Sequence, residues 1–138
     1  MDNKFRKYVD NMQLCQPASL DVITETENKL GIKFPSDYIE FMLFSNGCEG
    51  SIGESYLTVW PIEELVETNE DCEVEEYTPG LILFGSDGGE EAFAFDMRSD
   101  NIKYIMVPYM LEFDAVIEQG SSIIEFFERL YDGKLFDK

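Results

Sequence analysis

The residue types in this sequence that could do chemistry are carboxylates, and they are concentrated in the middle of the chain. No lysine or arginine lies between Lys33 and Arg98, and residues 34–97 hold sixteen Asp and Glu side chains in 64 positions. Eight of the sixteen lie in the fourteen residues from Glu63 to Glu76. Carboxylates without counter-ions repel one another in the folded protein, and a cationic partner relieves that repulsion. The pattern is typical either of a solvated face that keeps a protein soluble or of a docking surface.

We favour a docking surface for these acidic residues over a merely solvated face. The Glu63–Glu76 segment and the Asp87–Glu91 turn are predicted at helix ends and in loops, where binding residues concentrate. Opposite charge on a partner would raise the association rate by roughly ten- to a thousand-fold at low salt. The predicted partner-binding residues are Glu63, Glu67, Glu70, Asp71, Glu73, Glu75, Glu76, Asp87 and Glu90.

The sequence offers little for catalysis. It has no histidine, which excludes Ser-His and Cys-His nucleophile pairs and His-ligated zinc. Glycine patterns that bind phosphate are absent, and Ser86 lies in a stretch without the first glycine of GxSxG. Paired carboxylates can hydrolyse glycosides, but the abundance of acids here singles out no pair. We therefore predict no enzyme, no catalytic residues and no cofactor.

The Asp87–Glu91 turn also has an alternative interpretation as a calcium loop, because clustered carboxylates are hard oxygen ligands. Its spacing does not match the EF-hand pattern of about twelve residues. A tight turn between two strands explains its glycines. We therefore predict no metal site.

The charge and cysteine content of the whole chain limit its partners and its location. The chain has 138 residues and a formal net charge of -19, which disfavours binding to nucleic acid or to an anionic membrane surface. No stretch of about 18 apolar residues is present, and the N-terminus has no signal-peptide core. Cys15, Cys48 and Cys72 are widely spaced and are typical of reduced thiols. These features predict a cytoplasmic protein.

Three stretches near the N-terminus have the spacing of helices. Residues 2–14 carry four apolar side chains that form one helical stripe, namely Phe5, Tyr8, Val9 and Met12. A second helix is predicted from the N-cap Ser19 to Gly31, and a third from Pro35 to Asn46.

The rest of the chain has mainly the composition of strands. Strands are predicted at 56–60, 81–84, 91–96 and 103–107, and the run at 81–84 is expected to be covered on both faces. Alanines alternate with Phe93 and Phe95, so the two rings are predicted to share one face. A short acidic helix is predicted from Pro61, and a capped helix from Ser122 to Gly133. Helices before and after an antiparallel meander define an α+β fold, predicted as one domain over 1–138.

Several of these segments together resemble the SUKH superfamily, which contains bacterial immunity proteins and fungal regulators of cell-wall synthesis. The resemblance covers about residues 19–133 and leaves the helix at 2–14 outside. It is carried by the run from Leu30 to Tyr38, by Asn46-Gly47, by Trp60 before a short helix, and by the run from Leu83 to Gly89 that leads into Phe93-Ala94-Phe95-Asp96. The residues that match the family motif are Gly31, Pro35, Asn46, Gly47, Trp60, Gly85 and Gly88.

The resemblance implies an α+β fold without catalytic residues and a protein that acts by binding. It implies an antitoxin that blocks a cognate toxin, often a nuclease, and the acidic segment suggests that this toxin is basic. The alternative is an intracellular regulatory or scaffold domain like the cell-wall-linked members. The motif positions are mostly turns and core, and we expect Trp60 to pack in the core rather than to anchor an interface. The oligomeric state, monomer or dimer, stays open.

Overall fold

The computed structural model describes residues 4–136, and within them seven strands form one antiparallel sheet whose order follows the chain. The strands are β1 (Gln13–Leu14), β2 (Cys48–Ile52), β3 (Ser55–Val59), β4 (Leu81–Ser86), β5 (Glu91–Asp96), β6 (Lys103–Pro108) and β7 (Ile117–Gly120). The helices are α1 (Arg6–Val9), α2 (Leu20–Leu30), α3 (Ser36–Phe44), α4 (Leu65–Asp71), α5 (Val74–Tyr77) and α6 (Ile123–Tyr131). The predicted α+β meander is confirmed.

One face of the sheet carries aromatic side chains and is covered by α1, α2, α3 and α6. Phe93 and Phe95 both belong to this face, as their alternation with alanines predicts. The ring of Phe95 stacks on that of Phe84 with centroids 4.5 Å apart, and Phe93 meets Phe126 of α6 edge-on at 4.9 Å. These rings are almost completely buried, so this face holds most of the apolar area that stabilises the fold.

The opposite face of the sheet carries smaller side chains. They come from the three central strands and are Leu81, Leu83, Ala92, Ala94, Ile105 and Val107. Val74 of α5 and Leu111 of the loop after β6 complete this second cluster. The β4 run is therefore covered on both faces, as predicted. The two short helices lie beside β4, where Val74 of α5 belongs to this second cluster and Leu65 of α4 belongs to the aromatic cluster.

The predicted helix caps are confirmed for α2 and α6. The Ser19 hydroxyl accepts a hydrogen bond from the Val22 amide at 3.2 Å, and Gly31 ends α2 with a left-handed φ of +70°. The Ser122 hydroxyl accepts from the Glu125 amide at 3.1 Å. Each cap satisfies amide or carbonyl groups that a helix end leaves without an intrahelical partner.

A carboxylate at the start of α3 joins three elements of the aromatic side. The helix begins at Ser36, with Pro35 as its cap residue rather than its first helical residue. Asp37 accepts a hydrogen bond from the Tyr104 hydroxyl of β6 at 2.7 Å and from the Ile123 amide of α6 at 2.6 Å. The same side chain thus fixes α3 against the sheet and caps the last helix.

The prediction of a helix over 2–14 is wrong in its length. Within the described residues α1 spans only Arg6–Val9, and residues 2 and 3 lie outside them. The four apolar side chains of the predicted stripe are buried, as expected. The chain then leaves the helix, and Gln13–Leu14 pairs with Cys48 and Glu49 of β2. Strand pairing at the sheet edge supplies backbone hydrogen bonds there, and it overrides the helical spacing.

The strands β1, β2 and β7 were not expected from the sequence. In β2 only Cys48 and Ile52 are buried, and Gly50 lies in its middle, so the strand has little of the β-branched and aromatic composition that marks the others. The strand β7 similarly ends at Gly120. The strands β2 and β7 form because a neighbouring strand supplies hydrogen-bond partners for their backbone, and no local sequence pattern reveals that pairing.

Candidate partner-binding surface

The acidic segment after Pro61 folds into a 3₁₀ turn, Ile62–Glu64, and two short helices that bury few residues. On α4, Leu65 and Asn69 are buried one helical turn apart, and Val74 is the buried residue of α5. Glu73 separates the two helices in a left-handed conformation, with φ +55°. Because the buried positions are apolar or amide residues, the carboxylates are left on the outside.

Asn69 attaches α4 to the sheet. Its amide nitrogen donates to the Leu83 carbonyl at 3.0 Å, and its oxygen accepts from the Leu83 amide at 2.8 Å. The strand β3 pairs with β4 only at Gly85 and Ser86, so it does not reach Leu83. The buried Asn69 side chain replaces the missing strand neighbour, which satisfies backbone groups that would otherwise be costly to bury.

Asn46 fixes the start of the acidic segment. Its side-chain oxygen accepts from the Ile62 amide at 2.8 Å, and its nitrogen donates to the Glu63 carboxylate at 2.7 Å. At the adjacent Gly47, with φ +94°, an added Cβ would overlap the carbonyl oxygen of Val59. These two motif residues therefore hold the acidic segment against the end of β3.

All the candidate residues of this segment are exposed, namely Glu63, Glu67, Glu70, Asp71, Glu73, Glu75 and Glu76, and so is Glu64. Within residues 4–136 none of them forms an ion pair. The ion pairs found there lie elsewhere, at Lys4–Glu40, Lys29–Glu25 and Arg98–Asp96. The negative field of Glu73 and Glu76 raises the pKa of the exposed Tyr77. The segment is thus a strongly negative surface without internal compensation.

Four of these carboxylates surround a groove between the acidic helices and β4. The groove has a volume of about 630 Å³, and the acids on its rim are Glu70, Glu73, Glu75 and Glu76. Its floor is apolar and includes Val66, Leu81 and Ile82. Lys29 of α2 lies on the opposite rim. Glu67 does not line this groove, and Glu63 is held by Asn46 instead.

The second predicted part, the turn between β4 and β5, is built on Asp87. Its carboxylate accepts hydrogen bonds from the amides of Gly89 at 2.8 Å and Glu91 at 3.3 Å, so Asp87 is partly committed to shaping the turn. Glu90 is exposed. Glu91 is half-buried, and burial together with the neighbouring Asp87 and Glu90 raises the pKa of its carboxyl.

The turn between β4 and β5 opens onto a second concavity. Tyr109 lies between the two parts of the predicted acidic surface, the segment 63–76 and the turn 87–91. This concavity has a volume of about 820 Å³ and includes Asp87, Glu90 and Tyr109. Burial raises the pKa of Tyr109, and the proximity of Cys72 from the end of α4 and of Asp87 adds to the rise, while Ser86 opposes it. The structure thus divides the predicted acidic surface into two concavities, with Tyr109 beside residues of both segments.

The sequence reasoning missed several residues of this region. Asn69, which anchors α4, is one turn beyond the apolar Leu65, and that spacing was the available signal. Tyr109, Met110 and Phe136 are large exposed side chains that line the second concavity or its edge. Tyr109 and Met110 follow directly after the proline that ends a predicted strand, so they are apolar residues outside any predicted element.

The cysteines are all free within the described residues, and the environments of Cys48 and Cys72 do not activate these two thiols. Burial raises the pKa of the Cys48 thiol to about 12. Burial and then Asp71 raise the pKa of Cys72. Because the thiolate is the nucleophilic form, these two side chains are poor nucleophiles at neutral pH. Between residues 4 and 136 no three Cys, Asp or Glu side chains converge as ligands for a metal ion.

Trp60 occupies the junction between the two apolar clusters. Its side chain is partly buried and contacts both of them. Its amide donates to the Phe84 carbonyl at 3.0 Å, which extends the link between β3 and β4. Trp60 thus packs against both clusters, as expected, with part of its side chain exposed.

The fold and its turn residues place the chain in a known class. The family model of SMI1 / KNR4 (SUKH-1) matches residues 17–129, and the chain belongs to this family. A protein of Bacillus subtilis (strain 168), YnaB, is 34% identical to it over 121 residues, which are 84% of this chain and 75% of the relative. YnaB bears the description of an uncharacterized protein. None of the helices within residues 4–136 is long and apolar enough to cross a membrane.

Proposed function

We propose that this protein is a cytoplasmic immunity protein that binds a cognate toxin with a basic surface and neutralises it without catalysis. The proposal combines the family with one observation of this chain. Eight exposed carboxylates lie on 63–76, and within the described residues none is compensated by an ion pair. A cationic partner would relieve their mutual repulsion, and it would be steered to them by the opposite field.

The attachment of the acidic segment supports a binding role. Asn46 holds the 3₁₀ turn at its start, and Asn69 fixes α4 to β4, so the carboxylates of this part are presented on a positioned scaffold. A partner that docks there loses less conformational freedom than one that must order a loop. Stoichiometric inhibition needs only such a surface, whereas turnover would need an activated group.

The first test is affinity capture with the tagged protein from lysate of its source cells, followed by reconstitution with the captured protein. We expect one basic partner that binds in one-to-one ratio, is released by high salt, and stops cell growth when expressed without this chain. A partner that is not toxic, together with a growth or envelope defect in cells that lack this chain, would instead support a regulatory or scaffold role. That outcome would end the immunity proposal.

The second test places binding on the acidic segment. A variant in which Glu70, Asp71, Glu73, Glu75 and Glu76 are replaced by their amides should bind the captured partner at least about tenfold more weakly at low salt. Its affinity should also depend less on salt concentration. The matched control removes the same charge elsewhere, by amide replacement of Asp10, Asp21, Asp100, Glu118 and Asp132. Equal affinity of the two variants would show that the location of the charges is irrelevant, against the proposal.

A further inference from the structure

The end of the sheet beside the β4–β5 turn forms a pocket, called here the end pocket, of about 820 Å³. In the register of β5 and β6, Glu91 lies opposite Pro108, and the Tyr109 amide donates to the Glu90 carbonyl at 3.1 Å. The turn residues 87–91 form one side of the pocket, and Tyr109 and Met110 form another. Phe136, after α6, supplies a further wall.

The apolar walls of the end pocket are unusually exposed. Met110 is 79% exposed and Phe136 is 65% exposed, the two highest values among the large apolar side chains of residues 4–136. Both line the same pocket, and Tyr109 beside them is 38% exposed. Large apolar side chains that cluster on a surface mark contact sites, and methionine adapts its shape to a bound group.

The other walls of the end pocket are acidic. Asp87, Glu90 and Glu91 line it, and among the described residues that line it there is no lysine or arginine. Within residues 4–136 the Glu91 carboxylate has no hydrogen bond or ion pair, and Glu91 is half-buried. Burial and the two neighbouring carboxylates raise its pKa, which is the effect of desolvated like charges. A cation beside Glu90 and Glu91 would reverse this effect.

An arginine side chain can interact with both the apolar walls and the acidic walls of the end pocket. Its aliphatic stem packs on apolar surface, its planar guanidinium stacks on aromatic rings, and its donors match a carboxylate in pairs. A bare metal ion would leave Tyr109, Met110 and Phe136 uncovered, and an apolar residue alone would desolvate Glu91 further. The volume of the pocket is in the range that holds a larger group, so it also has room for apolar neighbours of the arginine.

We propose that the end pocket receives an arginine of the protein partner that is flanked by apolar residues. The guanidinium lies between Glu90 and Glu91, and the flanking residues cover Met110 and Phe136. The proposal rests on the proposed function in that it assumes a protein partner, and it names the side chain that the partner contributes.

The test uses the full chain and a defined probe, the capped peptide acetyl-Leu-Arg-Leu-amide, followed by ¹H–¹⁵N NMR. We expect saturable shift changes centred on the amides of Gly89, Glu90, Glu91, Tyr109 and Met110. The matched probe replaces arginine by citrulline, which has nearly the same shape and no charge, and it should bind about tenfold more weakly. Equal binding of the two peptides, changes centred on 63–76, or the absence of saturation would each overturn the proposal.

Variants of this chain test the acidic walls and the apolar walls of the end pocket separately. The double variant Glu90→Gln/Glu91→Gln should weaken the arginine peptide about tenfold, whereas Asp10→Asn/Asp21→Asn removes the same charge outside both concavities and should leave it unchanged. Met110→Ser should weaken both peptides, whereas Leu20→Ser, at another exposed apolar side chain, should weaken neither. Equal effects of a variant and its control would contradict the assignment.

The peptide-binding experiment and the neutralisation test can fail independently of each other. If the peptide does not bind but the captured toxin is neutralised, the immunity function stands and only the assignment of the end pocket is lost. If the peptide binds as expected but no toxic partner exists, the pocket stands and the partner is of another kind.

Discussion

The two faces of the sheet carry different kinds of side chain. The aromatic face joins β4, β5 and β6 to α1, α3 and α6 through closely spaced rings, and Asp37 adds hydrogen bonds to β6 and α6. The opposite face has smaller aliphatic side chains, and Val74 of α5 packs against them. The helices α4 and α5 lie beside β4, bury few residues and carry many exposed carboxylates. Apolar area is concentrated in the aromatic core, whereas these two helices carry charge that no ion pair within residues 4–136 compensates.

This difference separates the residues that stabilise the fold from the acidic residues that we propose bind the partner. Loss of a ring from the aromatic face removes contacts that several elements share, so the whole fold depends on it. Loss of an exposed carboxylate from α4 or α5 removes little buried contact area and reduces repulsion.

The largest expected effect is on the aromatic face. Phe126→Ala should lower the free energy of unfolding by about 3–5 kcal/mol, because the ring contacts Phe84, Phe93 and Tyr104 and is fully buried. Val74→Ala on the other face should cost about 1–2 kcal/mol, because fewer buried atoms are removed. Chemical denaturation of the two variants measures the difference. Equal losses would mean that the two faces contribute alike to stability.

The next effect tests the anchor of the acidic helices. Asn69→Ala should cost about 2–3 kcal/mol, because it leaves the Leu83 amide and carbonyl without their partners. Hydrogen exchange should speed up at Leu83 and through α4 more than at Phe93, if the loss is local. The control Glu67→Gln changes an exposed residue of the same helix and should leave exchange unchanged. Uniform acceleration across the sheet would show that α4 is part of the main core.

The next expected change in stability is smaller and compares two buried tyrosines on the aromatic face. The Tyr104 hydroxyl donates to Asp37, whereas the buried Tyr38 hydroxyl has no hydrogen-bond partner within the described residues. Tyr104→Phe should therefore cost about 1–2 kcal/mol, and Tyr38→Phe should be neutral or slightly stabilising. Thermal unfolding at neutral pH compares them. A larger loss for Tyr38→Phe would contradict the hydrogen-bond arrangement of this face.

The sequence predicted the aromatic face better than the acidic one. The alternation in 91–96, the capped helices and the motif glycines follow local rules, and these predictions are confirmed. The exposure of the acids in 63–76 was also predictable from composition. By contrast, the strands β1 and β2 depend on pairing across the chain, and Asn69 depends on where β3 ends. The end pocket brings together residues 87–91, 108–110 and 136, and no local pattern reveals such a distant meeting.

The smallest expected effect concerns Glu91, a carboxylate that lines the end pocket. Burial, Asp87 and Glu90 raise the pKa of Glu91 in the folded protein, so its charged form is disfavoured by folding. The folded state then holds more protons than the unfolded state over the pH range between the two pKa values, and stability falls as pH rises through it. Glu91→Gln removes this penalty. At pH 7 we expect the variant to be more stable than the wild type by about 0.5 kcal/mol or less, since the side chain is only half-buried.

The pH dependence distinguishes this cause from a general effect of charge. The stability gained by Glu91→Gln should disappear as pH falls below the ordinary pKa of glutamate, because the carboxyl is then protonated in both states. Thermal unfolding of wild type, Glu91→Gln and the exposed control Glu67→Gln at pH 7 and near pH 4 measures it. If Glu91→Gln were less stable than the wild type at pH 7, the carboxylate would have a structural partner. Glu91 would then stabilise the fold, as the residues of the aromatic face do. Its carboxylate would already have a partner, and it would no longer support an arginine in the end pocket.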